Sequence, residues 1–111
     1  MPKLEFETTR NGTVAIVSPT GELDLSGAAV LEAELDRLTE DPEFATVVLD
    51  MRGLEFMDSS GLRLVVVADM RAREAGRRFS LVRGDETVHR VFEITRMSDR
   101  LDFVDSLEDV A

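Results

Sequence analysis

One short run of aliphatic and β-branched residues constrains the fold of this chain more than any other feature. Residues 45–50, ATVVLD, are almost continuously apolar, which is typical of a strand that is covered on both faces. Strands of this kind occur mainly in parallel sheets, where consecutive strands are joined by long crossover connections, usually helices. The run therefore predicts a sheet that is packed by helices.

The first part of the chain predicts a β-hairpin. Residues 4–8 alternate between apolar and polar side chains, and residues 13–17 are mostly aliphatic or β-branched. The Asn-Gly pair at 11–12 between them is a strong signal for a two-residue turn. Pro19 and Gly21 are expected to end the second strand. The hairpin adds one antiparallel edge strand to the sheet.

A first helix is predicted between capping residues and a helix breaker. Asp24, Ser26 and Gly27 offer groups that cap the start of a helix. The Asp-Pro pair at 41–42 ends it, because a residue before proline avoids the helical conformation. The buried stripe of this helix consists of four residues at three- and four-residue spacing: Ala28, Leu31, Leu35 and Leu38.

Three further helices, the last of them short, and two strands are predicted in the second half. A helix over residues 60–75 is stopped by Gly76, and strands are expected at 79–82 and 101–104. The last segment can hold a helix of only one or two turns. The expected core face of the helix over 60–75 is formed by Leu62, Val65, Val66 and Met70. The stripe of the next helix is formed by Val88, Val91, Phe92 and Thr95.

The resulting order of elements is β-β-α-β-α-β-α-β-α. The 111 residues suit a single domain over the whole chain. Because strands alternate with helices, the connections are expected to be right-handed parallel crossovers. The predicted fold class is α/β, with a mixed, mostly parallel sheet packed by helices. The unpaired edge of the opening hairpin is compatible with a monomer or a weak dimer.

Composition narrows the range of partners. The formal net charge is −10, so the chain is a poor candidate for binding nucleic acid, which needs concentrated lysine and arginine. There is no cysteine, and there is no tyrosine or tryptophan to stack on bases. No apolar run approaches the ~20 residues of a membrane span, and the N-terminus lacks the apolar core of a signal peptide. The protein is therefore expected to be soluble and cytoplasmic.

No enzymatic chemistry fits the residues. Residues 57–61, MDSSG, lie where a serine nucleophile could stand between strand and helix, but the first glycine of that motif is missing. A catalytic triad also needs a histidine base, and His89, the only histidine, is expected to be a solvated or partly buried surface residue. Zinc-ligand and phosphate-loop motifs are missing as well. We expect no catalytic residue, cofactor or metal ion.

The segment at 56–62, FMDSSGL, lies between two apolar runs, where a loop should turn into a helix. Asp58, Ser59 and Ser60 favour such a place because their side-chain oxygens accept hydrogen bonds from the free N–H groups of the first turn. On the residues alone, both serines are interpreted as helix caps. Their hydroxyls would stand at the partly positive end of the helix, where those N–H groups also tolerate an anion.

This segment resembles the phosphorylation loop of the STAS-domain anti-sigma factor antagonists. A second segment agrees, because residues 21–24, GELD, are similar to the segment that precedes the first helix in that family. Both motifs occur in the expected order, so the resemblance covers nearly the whole chain as one STAS domain. It implies that Ser60 is the phosphorylated residue and that Ser59 is its non-accepting neighbour.

The resemblance also implies a function and its partners. Family members bind an anti-sigma factor that is at the same time an ATP-dependent serine kinase, and the unmodified antagonist thereby frees a sigma factor. Phosphorylation switches the antagonist off, and a phosphoserine phosphatase restores it. The surface expected to meet the kinase comprises Asp24, Asp58, Ser59, Gly61, Leu62 and Arg63.

Two points stay open at this stage. Arg63 stands where the family commonly has a small residue, so it is expected either to narrow the choice of partner or to pair with the phosphate. The alternative to an antagonist is another STAS role without phospho-switching. Such a protein would be a scaffold of a signalling assembly or an accessory subunit of a lipid transporter.

Overall fold

The structure, a computed structural model, describes residues 3–110. It contains six strands: β1 (Glu5–Asn11), β2 (Val14–Leu23), β3 (Thr46–Asp50), β4 (Leu54–Met57), β5 (Arg78–Val82) and β6 (Phe103–Val104). Its helices are α1 (Leu25–Glu40), α2 (Ser59–Glu74) and α3 (Glu86–Ile94). None of these helices is long and apolar enough to cross a membrane.

The strands form one mixed sheet. Its order is β1-β2-β3-β5-β6. The remaining strand, β4, pairs with the last residues of β2, after the part of β2 that pairs with β3. Only β1 and β2 are antiparallel, joined by the predicted turn at Gly12, whose φ of 62° suits glycine. All other pairs are parallel. The predicted α/β class with a mostly parallel sheet and an antiparallel edge strand is confirmed.

The prediction that Pro19 and Gly21 end the second strand is wrong, because β2 continues to Leu23. β2 pairs with β3 as far as Val17 and with β4 only from Gly21 onward. Pro19 therefore lies in the interval where β2 has no parallel neighbour. Gly21, with a φ of 91°, stands where the register with β4 shifts, so it marks a bulge in the strand.

The first helix matches its prediction. Asp24 caps α1, the helix ends at Glu40, and the predicted stripe is buried or packed against the core. The predicted face of the second helix is partly wrong, because Val66 and Met70 are 38% and 51% exposed. Small residues take their place and let α2 approach the rest of the molecule closely. The buried residues of α2 are Gly61, Leu64, Val65, Ala68 and Ala72.

The two faces of the sheet are covered differently. The three helices contribute to one large core, to which alternate residues of the strands, such as Val47 and Leu49, also belong. On the other face, Val48 and Val82 pack with Leu107 and Val110 from the end of the chain. The predicted last helix is a single 3₁₀ turn, Leu107–Asp109. It begins with a capping box between Ser106 and Asp109.

His89 does not lie at the surface. Its side chain is only 4% exposed on α3, and its ring meets Phe103 edge-on at a centroid distance of 4.9 Å. Its Nδ1 atom has no hydrogen-bond partner within the described part of the chain. Burial lowers the pKa of His89, and the positive charge of Arg83 acts in the same direction. The prediction of a solvated or partly buried histidine is therefore wrong, because Phe103 of β6 covers the ring.

Candidate functional site

Two parallel strands bring the two sequence motifs together. In the pairing of β2 with β4, Leu23 lies opposite Met57, and each strand passes directly into a helix. The backbone N–H of Asp58 donates a hydrogen bond to the carbonyl of Leu23 over 3.2 Å. Asp24 and Asp58, far apart in the sequence, therefore begin neighbouring helices at one edge of the sheet.

An aspartate caps each of these helices. The Asp58 carboxylate accepts hydrogen bonds from the N–H groups of Ser60 and Gly61, at 2.8 and 3.3 Å. Ser59 and Ser60 are thus the first two residues of α2, and the interpretation of the serines as caps is wrong. Two of the N–H groups expected to be free for an anion, those of Ser60 and Gly61, are already bound by the Asp58 carboxylate.

The cap of the first helix is similar. Asp24 Oδ1 accepts a hydrogen bond of 2.6 Å from the Ser26 hydroxyl and one of 3.0 Å from the Ser26 N–H. The hydrogen bond from the Ser26 side chain is the main cause that lowers the pKa of Asp24. The carboxylate is therefore ionised at neutral pH.

Ser60 lines a groove between the two helices. The groove encloses about 180 Å³, and α2 contributes Ser60, Arg63 and Leu64 to it. Ser60 is partly buried, whereas Ser59 and Arg63 are exposed. Among residues 3–110, no histidine or carboxylate cluster is placed to hold a metal ion. The wall on the side of α1 is formed by Leu25, Ala28, Ala29 and Glu32.

Two of the predicted site residues contribute little side-chain surface. Gly61 is buried, and a Cβ atom there would lie 2.4 Å from Met57 Cγ and 3.0 Å from Leu23. Only glycine lets α2 begin so close to the ends of β2 and β4. Leu62 is partly buried and packs against the core. These residues therefore position the loop, while the aspartates, the serines and Arg63 reach the surface.

Sequence reasoning missed three residues of this surface. Leu25 is 78% exposed beside Asp24, and Phe56 is 44% exposed near the end of β4. Glu32 faces Ser60 and Arg63 across the groove. The spacing of Leu25 from Ala28 and Leu31 is that of a buried stripe, so the sequence carries no sign of its exposure. Leu25 and Phe56 lie beside the two motifs in the chain, whereas the packing of α1 against α2 brings Glu32 to Ser60 and Arg63.

Comparison with known proteins assigns the chain to a family. The family model described as the STAS domain matches residues 5–110, and the protein therefore belongs to the STAS domain family. The resemblance recognised from the GELD and DSSG segments is confirmed. The family model spans almost all of the described residues, so both segments belong to the same STAS domain.

Individual relatives carry a more specific description. An anti-sigma F factor antagonist of Paenibacillus polymyxa is 26% identical over 92 residues, which cover 83% of this chain and 79% of that protein. An anti-sigma factor antagonist from Mycobacterium paratuberculosis superimposes with a TM-score of 0.87 at 21% identity, covering 96% and 90% of the two chains. The Bacillus cell fate determinant SpoIIAA in its phosphorylated form has a TM-score of 0.74 at 20% identity, with 96% of both chains covered. The solved structures establish a common fold.

Proposed function

We propose that this protein is an anti-sigma factor antagonist, which binds an anti-sigma factor with serine-kinase activity and thereby frees a sigma factor. The observation that carries the proposal is the pairing of β2 with β4, which places Asp24, Asp58 and Ser60 on one surface. The curated relative described as an anti-sigma F factor antagonist supports it. In this role the chain acts by binding and is a substrate of its partner, not an enzyme.

The unmodified surface combines an apolar anchor with negative charge. Leu25, next to Asp24 in the chain, is exposed at the rim of the groove that Ser60 lines, and a large exposed aliphatic side chain of this kind can fill a pocket on a partner. Asp24 and Asp58 supply charge that steers a basic surface of the kinase towards the loop. Ser59 and Arg63 are exposed around the same point. This arrangement brings Ser60 to the partner's active site.

We propose that phosphorylation of Ser60 switches the protein off. The Ser60 oxygen attacks the γ-phosphorus of ATP, the bond to ADP breaks, and the hydroxyl proton passes to a base of the kinase. The phosphate adds roughly −1.5 to −2 charges at neutral pH. Asp58 binds the backbone N–H groups of Ser60 and Gly61, which could otherwise offset this charge, so the phosphate and this carboxylate repel each other at the interface. A phosphoserine phosphatase reverses the step by hydrolysis.

Leu25 offers a test of the binding surface. A Leu25→Asp variant is expected to lose at least tenfold in affinity, because a charged group replaces an exposed apolar side chain on this surface. The variant is added to the complex of sigma factor and anti-sigma factor from the same host. Native mass spectrometry then measures how much sigma factor is released. The wild type should release it, and Leu25→Asp should not.

The matched control is Ile94→Asp on α3. Ile94 is 75% exposed, close to the value for Leu25, so both substitutions should leave the fold intact. If Ile94→Asp releases as much sigma factor as the wild type, the loss of release in Leu25→Asp is specific to the surface at Asp24 and Asp58. If the wild type fails to release sigma factor, the antagonist function is wrong. If Leu25→Asp releases as well as the wild type, the binding surface lies elsewhere.

A further inference from the structure

Arg63 is a cation one helical turn from Ser60, and no carboxylate of residues 3–110 is paired with it. Both residues line the groove between α1 and α2, one turn apart on the same helix. Among residues 3–110, no carboxylate oxygen lies within 4.0 Å of the Arg63 guanidinium. By contrast, Arg71 of the same helix binds both Asp36 and Glu32. The donors of Arg63 are therefore available to another anion.

A phosphoryl group on Ser60 would need donors from a side chain. The start of a helix normally offers free N–H groups to an anion, but the Asp58 carboxylate already accepts from Ser60 and Gly61. The same carboxylate and Glu32 across the groove repel a phosphate. Without a donor from a side chain, a phosphate at this position would face the carboxylates of Asp58 and Glu32.

Arg63 lies where it can supply those donors. Residues three apart on a helix are neighbours, with Cβ atoms roughly 5–6 Å from each other. A guanidinium presents five N–H donors in a planar fork that binds phosphate through two hydrogen bonds at once. Ser60 and Arg63 are three residues apart and open to the same groove. An arginine at this place is therefore suited to hold the modified serine.

We propose that Arg63 binds the phosphoryl group on Ser60, so that the phosphorylated state is held as an ion pair within the groove between α1 and α2. The inference rests on the proposed function only in taking Ser60 as the phosphate acceptor. Arg63 then acts as a positioning residue of the switch. Phosphorylation adds an anion to the partner-binding surface and at the same time withdraws Arg63 from it.

The titration of the phosphate itself tests this contact. Phosphoserine is incorporated at position 60 during translation, so that no kinase is needed, and its second pKa is followed by ³¹P NMR. A bound guanidinium favours the dianion, so Arg63 lowers this pKa from its usual value of about 6. In Arg63→Gln the pKa should rise by about half a pH unit, and in Arg63→Lys by less, because the charge remains while the planar fork is lost.

Arg73→Gln is the control, since it removes the same charge from the same helix. Arg73 lies thirteen residues after Ser60, about 20 Å along the helix and beyond the Debye length of about 10 Å in 0.1 M salt. Its substitution should leave the phosphate pKa unchanged. An unchanged pKa in Arg63→Gln, or an equal rise in Arg73→Gln, overturns the proposal. Failure of a kinase to modify Ser60 would count against the proposed function alone, because this titration does not use one.

Discussion

A Ser60→Asp variant is expected to bind the partner kinase at least a hundredfold more weakly than the wild type. The added carboxylate stands at the surface beside Asp58, whose own carboxylate already binds the nearest backbone amides. Docking would press these two like charges together and remove water from them, which we expect to cost about 3 kcal/mol. Isothermal titration calorimetry with the purified kinase in the presence of ADP gives the dissociation constants of the wild type and of Ser60→Asp.

Two variants separate charge from shape in this experiment. Ser60→Asn has nearly the same size as Ser60→Asp but no charge, and we expect it to bind within a few-fold of the wild type. Ser59→Asp places the same charge one residue earlier, on a side chain that is exposed and outside the groove. We expect a smaller loss there. Equal affinities of Ser60→Asp and the wild type would rule out repulsion as the basis of the switch.

Gly61→Val is expected to reduce the free energy of unfolding by about 3 kcal/mol. The Cβ atom alone would lie 2.4 Å from Met57 Cγ, and Met57 and Leu23 are themselves in the core. Overpacking of this kind typically costs about 1–3 kcal/mol, and the branched side chain needs more room than the Cβ atom. Gly61→Ala should lose less, about 1–2 kcal/mol, because alanine's higher helix propensity offsets part of the clash. Urea denaturation measures both.

Ala33→Val is the control for β-branching in a helix. Ala33 is exposed on α1, so valine there should cost only about 0.5 kcal/mol through its lower helix propensity. A Gly61→Val variant as stable as Ala33→Val would mean that α2 can shift away from β2 and β4. In that case the close approach of the helix would not fix the position of Ser60.

Local motifs in the sequence indicate candidate site residues, but they do not indicate how the fold arranges them. Asp58 and Ser60 are recognised from a local motif, and the first helix follows from its caps and aliphatic stripe. The adjacency of Asp24 and Asp58 depends on β4, which has only four residues, LEFM, and carries no strand signal of its own. Such a short strand is defined by its pairing with β2, which a sequence pattern does not reveal.

The errors in α2 and α3 have a related cause. Helical spacing alone assigns Val66 and Met70 to the core, because large apolar residues dominate such a pattern. In the fold, Gly61, Ala68 and Ala72 face inward with Leu64 and Val65, and at Gly61 the helix packs too closely on Met57 and Leu23 for a side chain. Burial of a polar residue also depends on contacts that are distant in the sequence, as for His89 under Phe103.

The most direct measurement of the central claim is site-resolved mass spectrometry after incubation of the protein with ATP and an extract of its own host. Ser60→Ala and Ser59→Ala are treated in parallel. We predict phosphate on Ser60 in the wild type and in Ser59→Ala, and none in Ser60→Ala. Phosphate on Ser59 instead, or none on the wild type in an extract shown to contain the active kinase, would contradict the phosphorylation switch.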